Sequence, residues 1–262
     1  MTRYARLLLL QLRASVVLAA QYRADFLLDG AIEIVWTSTA LAPLLVAFQG
    51  RAAIAGWSFG EALCVLGFFT LLQAVLEGAI NPSLVAVVQH IRKGTLDFVL
   101  LKPADAQFLV STARFHPWRS INVVTAGVLF VLSFRALGRA PGAADCALAL
   151  VFFTTAVTGL YSLWLLVVCT AFHAVKIDNA ADLMNAVFDA ARWPSSVFRG
   201  AVRFVVTFVV PLALMTTVPA RALLGKLDLA TALAAIAGAV VLAGASRWAW
   251  TRSLASYTSA SS

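Results

Sequence analysis

Long apolar stretches alternate with short polar ones along this chain. A helix that crosses a membrane needs about 20 mostly apolar residues. Stretches of that kind run over roughly 27–48, 59–81, 120–137, 146–172, 201–219 and 229–250. Turn-forming residues separate several of them: Gln49-Gly50-Arg51, Asn81-Pro82-Ser83 and Gly138-Arg139-Ala140-Pro141-Gly142. Trp57, Trp118, Trp248 and Trp250 fall near the expected span ends, as an aromatic belt requires. Pro43 and Pro211 lie inside spans, where neighbouring helices re-satisfy the carbonyls that a proline frees. Residues 3–25 read differently. On a helical wheel Arg3, Arg6, Arg13 and Gln21 share one side, while Leu8, Leu9, Leu12, Val16 and Ala19 point elsewhere and Arg23 leaves the polar side. That pattern predicts a helix lying in the membrane interface. The expected fold is all-α and polytopic, with about six transmembrane helices and an N-terminal interfacial helix.

Composition strengthens this reading. The 262 residues are 61% hydrophobic and 12% charged, with a mean hydropathy of +0.89. A soluble domain carries about 25% charged residues, so this chain could not cover a globular surface. The net charge of +8 does not point to nucleic acid, because the basic residues sit singly between apolar runs with no reader motif. They serve better as orientation signals. With the N-terminus inside, only Arg51, Arg135, Arg139, Arg221 and Lys226 of the 20 Lys and Arg fall outside, which predicts two cytoplasmic termini. The first residues do not resemble a cleaved leader, since Arg13 interrupts the apolar run. Cys64, Cys146 and Cys169 lie apart, with no Cys-x-x-Cys pair, and read as small buried hydrophobes.

Residues 174–200 fit two accounts. Lys176, Asp178, Asn179, Asp182, Asn185, Asp189 and Arg192 make them a cytoplasmic linker by hydropathy. They also fit a polar fifth helix, with 195–222 then re-entrant from the outside and Arg192, Arg199 and Arg203 moved outward. The C-terminus stays inside in both.

The stretch 83–109 lies on the inner side between the second and third spans. A short apolar-polar helix ends near Gly94, and Lys102-Pro103 ends another element. Within it, Arg92-Lys93-Gly94-Thr95-Leu96-Asp97-Phe98-Val99-Leu100-Leu101-Lys102-Pro103 resembles the inner-loop signature of type-2 ATP-binding-cassette (ABC) permeases, in the bacterial subfamily that carries K/R-G-x-L-D there. A second likeness is Arg192-Trp193-Pro194-Ser195-Ser196-Val197-Phe198, followed by segments at 208–213 and 218–225; a third is the tail from Trp250 through Ser262. Their order covers nearly the whole chain. The departure is Arg192-Trp193-Pro194, where the family more often has Tyr or Phe before the proline.

The resemblance implies one transmembrane permease domain over 1–262, with 1–26 as interfacial helix and 83–106 as cytoplasmic coupling loop. It implies an exporter subunit of the bacterial cytoplasmic (inner) membrane, working with two ABC ATPase subunits and a second permease subunit, identical or homologous. It also favours the polar fifth helix and the re-entrant reading. The coupling residues it implies are Arg92, Lys93, Gly94, Leu96, Asp97, Lys102 and Pro103. The substrate is not legible.

No phosphate-binding loop occurs, since the Gly225-Lys226 pair is followed by Leu227. ATP and magnesium therefore belong to the partner ATPase, and this chain is expected to hold no cofactor and catalyse no bond chemistry. Asp29 and Glu33 share a helix face near the inner end of the first span, and Glu61 and Glu77 bracket the second. Carboxylates in a membrane face protein or a cavity, which makes Glu33 and Glu77 candidates for a translocation path; the plainer alternative is interfacial groups that reach water. His90, His116 and His173 lack metal spacing. An ion-coupled secondary transporter would need paired intramembrane charges within internal repeats, and no repeat is visible. A lipid-modifying membrane enzyme would need clustered His, Asp or Glu near one face.

Overall fold

The computed structural model describes residues 3–20, 41–172 and 212–257, with positions 32, 35, 39, 188, 189, 192 and 193 between them. The expectations for Asp29, Glu33, most of the first span, residues 174–187 and 194–211, and the last five residues fall outside this set. Within it the helices are α1 (Arg3–Ala20), α2 (Phe59–Arg92), α3 (Asp97–Leu100), α4 (Ala106–Ser111), α5 (Ile121–Leu137), α6 (Ala143–Thr170), α7 (Leu212–Leu223) and α8 (Leu229–Ala255). Residues 41–48 are also helical. No named strand occurs among the described residues. Four helices there are long and apolar enough to cross a membrane: α2, α5 with its 3-10 entry at Pro117–Ser120, α6 and α8.

The helix α2 is the centre of the bundle. Its most apolar window is 67% buried, against 6% for α8, so α2 packs inside while α8 faces outward. Glycines on α2 admit α5 closely. A Cβ on Gly67 would meet the Phe130 ring at 2.7 Å, and one on Gly60 would meet Leu137 at 2.8 Å and the Ser133 carbonyl at 3.1 Å. Small residues at such contacts are how helices pack in lipid, where no hydrophobic force favours association. Ser133 Oγ donates to the Gly60 carbonyl at 2.6 Å, which satisfies a fully buried hydroxyl. The Phe130 ring meets Phe68 edge-on, and the Phe153 ring packs against it at a tilt.

The structure corrects the expected break at Asn81-Pro82-Ser83. Helix α2 runs through it as one piece of 34 residues, about 51 Å long against a hydrocarbon core of about 30 Å. A π turn at Leu76–Ile80 makes this possible. Pro82 cannot donate to the Gly78 carbonyl four residues back. The His116 amide donates to that carbonyl instead, at 2.8 Å. Trp164 Nε1 donates to Asn81 Oδ1 at 2.7 Å, and Ser83 Oγ donates to the Arg114 carbonyl at 2.7 Å. Neighbours thus re-satisfy what the proline disrupts.

A second correction concerns tryptophan. Trp248 is exposed as a belt residue should be, but Trp57 and Trp250 are buried. Trp250 packs edge-on against Phe172, and Trp57 lies under the Arg221 guanidinium. Position near a span end does not distinguish a lipid-facing indole from a core one. The described α7, about 18 Å long, is too short to cross alone, and residues 194–211, which separate the two readings of that region, lie outside the described set.

Candidate functional site

The bundle has two polar ends. One, the turn end, carries the turns 138–142 and 224–228. The other, the loop end, carries residues 93–120 and the N-terminal helix.

At the loop end, α2 stops by a Schellman motif. The Gly94 amide donates to the Ile91 carbonyl at 3.2 Å and the Thr95 amide to the His90 carbonyl at 3.0 Å, with Gly94 at φ +64°. His90 Nδ1 and Thr95 Oγ1, 2.8 Å apart, brace the turn. The short helix α3 follows. Its inward residues are Leu96, fully buried, and Val99, packed on the core. Three positions apart on the outward face stand Phe98 and Leu101, 70% and 81% exposed. Arg92, Lys93 and Lys102, which flank them in the sequence, are exposed as well.

The seven residues picked from sequence therefore come together but play different parts. Leu96 is an anchor, Gly94 a helix stop, and Arg92, Lys93 and Lys102 a basic rim. Asp97 does not cap α3. Leu96 holds the cap position and Asp97 begins the helix. The carboxylate that does cap is Asp105, which accepts from the Phe108 amide at 2.9 Å at the start of α4. The sequence reading also passed over Phe98 and Leu101. The signal was present: two large apolar residues at helical spacing, outside any span, between basic ones.

Asp105 ties this loop to the spans. Arg247 Nη2 of α8 lies 2.8 Å from Asp105 Oδ2, and Arg247 Nη1 donates to Gln107 Oε1 at 2.7 Å. Gln107 Nε2 donates to the Tyr161 hydroxyl of α6 at 3.0 Å, and Ser111 Oγ lies 2.6 Å from that hydroxyl. The hydrogen bond from Arg247 is the main reason that the Asp105 carboxyl sits below its ordinary range. The helix α1 lies along the same loop, by polar contacts. Arg3 donates to the Pro103 carbonyl, Thr112 Oγ1 donates to Gln11 Oε1 at 2.6 Å, and the Phe115 amide donates to Ser15 Oγ at 3.1 Å. Leu9, Leu10, Val16, Val17 and Leu18 are exposed on α1, which gives it an apolar face for lipid.

Glu77 lies in the π turn, about 27 Å along α2 from Phe59 and so near the edge of the hydrocarbon core. It is paired within the chain: Arg119 Nη1 stands 2.9 Å from its Oε2, and Gln73 Nε2 donates to its Oε1 at 3.2 Å. At the turn end, Ser58 and Glu61 form a capping box, and Glu61 also takes the ammonium of Lys226. Arg139 Nη2 donates to the Leu224 carbonyl at 2.5 Å, and Arg221 lies 4.0 Å from Asp228. No group of three metal-ligating side chains occurs among the described residues.

A model of the protein family described as "ABC-2 family transporter protein" matches residues 34–261. No curated protein and no solved structure matches the chain.

Proposed function

This chain belongs to the ABC-2 family of transporter proteins, and from that premise we infer that it is the permease subunit of an ATP-driven exporter whose ATPase is a separate polypeptide. The family makes it a membrane-spanning component of an ABC transporter. The rest is our reading. The loop end faces the cytoplasm, in line with the excess of Lys and Arg assigned to that side. Two ATPase subunits dock there, and a second permease subunit completes the path. ATP and magnesium are held by the ATPases.

One observation supports the coupling role: Phe98 and Leu101 are exposed outside the spans, flanked in the sequence by exposed Arg92, Lys93 and Lys102, on a helix anchored by buried Leu96. Apolar residues with a charged rim are the ordinary make-up of an interface centre. Such a helix can pass a push to the bundle through α4, the next helix of the same loop, because Asp105 and Gln107 bind α4 to α8 and α6. The substrate then moves outward between two permease subunits. The test is purification with and without the ATPase. Alone, the chain should hydrolyse no ATP; co-expressed, it should copurify with two ATPase and two permease chains. A transport-competent monomer that needs no ATPase would overturn this function.

A further inference from the structure

An open cleft of about 590 Å³ lies at the loop end between α1, α4, α6 and α8. Asp105, Arg247, Ser111 and Tyr161 line it together with the rings of Tyr4 and Phe108. We propose that it binds the headgroup of a zwitterionic phospholipid with a primary ammonium, of the phosphatidylethanolamine type.

Depth comes first. Tyr161 and Arg247 each lie about 27 Å along their helices from the turn end, which brings them near the edge of the hydrocarbon core, next to the headgroups of the leaflet at the loop end. Trp248, exposed beside Arg247, fits that level. The tail path is the second observation. Leu233, Ile236 and Val240 are exposed on the face of α8 that carries Arg247, by their spacing of three, four and seven. That helix is the least buried of the four spans, so acyl chains can run along it from the cleft.

The chemistry selects the headgroup. Arg247 and Asp105 pair with each other, yet their side chains remain 51% and 37% exposed. Their mutual contacts use the terminal nitrogens of Arg247, leaving Nε–H and further carboxylate lone pairs for a ligand. A phosphate fits the Arg247 Nε–H and the one O–H that the Ser111–Tyr161 hydrogen bond leaves free. An ammonium fits Asp105 and the neighbouring Tyr4 and Phe108 rings, which meet edge-on at 4.9 Å. A purely anionic lipid can satisfy Arg247 but offers no cation to Asp105. A choline headgroup keeps the charge but cannot donate a hydrogen bond to it.

The test uses the full chain, purified out of vesicles made of equal parts phosphatidylethanolamine, phosphatidylcholine and phosphatidylglycerol, with retained lipids counted by native mass spectrometry. The expected result is retention of phosphatidylethanolamine over each of the others by on the order of fivefold, the scale of one partly exposed ion pair. Asp105→Asn should erase the preference over phosphatidylglycerol, and Arg247→Gln should lower retention of all three. Lys226→Met, at the turn end, should leave the pattern unchanged. Equal or greater retention of phosphatidylglycerol or phosphatidylcholine by the unaltered chain would overturn the proposal, as would a folded Asp105→Asn chain that keeps the preference over phosphatidylglycerol or a folded Arg247→Gln chain that retains all three lipids undiminished. Should a substitution prevent folding, the unaltered chain's preference decides. The assay involves no nucleotide and no transport, so its failure leaves the permease reading standing.

Discussion

At the turn end, Glu61 meets Lys226, and Arg221 meets Asp228 and the ring of Trp57. At the loop end, Arg247 meets Asp105 in the same manner, but Phe98 and Leu101 of the same loop stand uncovered. The turn end thus uses charge to join one helical hairpin to the next. The loop end uses it to hold a surface in place. Apolar exposure on the membrane-facing helices is expected, because lipid covers it; exposure on α3, beyond the end of α2, is what the proposed ATPase-docking surface requires.

This contrast predicts that stability and partner binding separate by end. The largest effect is expected for Phe98→Asp combined with Leu101→Asp. Both side chains are exposed, so melting of the purified chain should move little, within about 0.5 kcal/mol. Association with the ATPase should fall by about thirtyfold or more, the size of losing one interface anchor. Copurification and melting measured on the same preparation check this, and a chain that melts early yet holds its ATPase would reverse the contrast. Next in size is Lys226→Met. It leaves the buried Glu61 carboxylate to Ser58 alone, at a cost of about 1–2 kcal/mol, and should leave ATPase association unchanged. Thermal unfolding in detergent against the unaltered chain reads it.

Gly94→Val follows. The left-handed backbone at φ +64° costs a residue with a Cβ about 1–2 kcal/mol, which should loosen the α2–α3 turn and weaken coupling more than insertion. Membrane levels, ATP hydrolysis and transport in one set of membranes separate these; equal coupling at equal expression would show that the turn is not a transmitter. The smallest effect is pH dependence. The folded carboxyl of Asp105 titrates below its unfolded value of about 3.9, so its contribution is present above that pH and is lost as pH falls through the lower folded value. With both partners partly exposed the contribution is at most about 1 kcal/mol. Unaltered and Asp105→Asn chains should therefore differ in melting at pH 7 and converge in strong acid; a constant difference would assign the effect to packing.

Hydropathy alone was enough to place α2, α5, α6 and α8, because lipid demands continuous apolar runs and no other arrangement satisfies so many backbone groups. The end of α2 was harder. Asn81-Pro82 reads as a turn locally, and the His116 amide that rescues the Gly78 carbonyl comes from far along the chain. Gly94 was legible, since few residues tolerate its φ; the cap at Asp105 was not, because Asp97 and Asp105 both stand near the start of a short helix and the sequence does not say which of them lies at the cap position. Trp57 and Trp250 show the same limit from the other side: an indole near a span end has two stable places, and the sequence does not say which.

The central claim is that the loop end is where the ATPase docks, and site-specific photo-crosslinking tests it most directly. A photoreactive residue at Leu101 and, in a separate chain, one at the equally accessible Leu229 of the turn end would be activated in membranes that contain the co-expressed ATPase. Leu101 should yield a crosslinked permease–ATPase product that ATP binding alters, and Leu229 should yield none. A product from Leu229 with none from Leu101 would contradict the account.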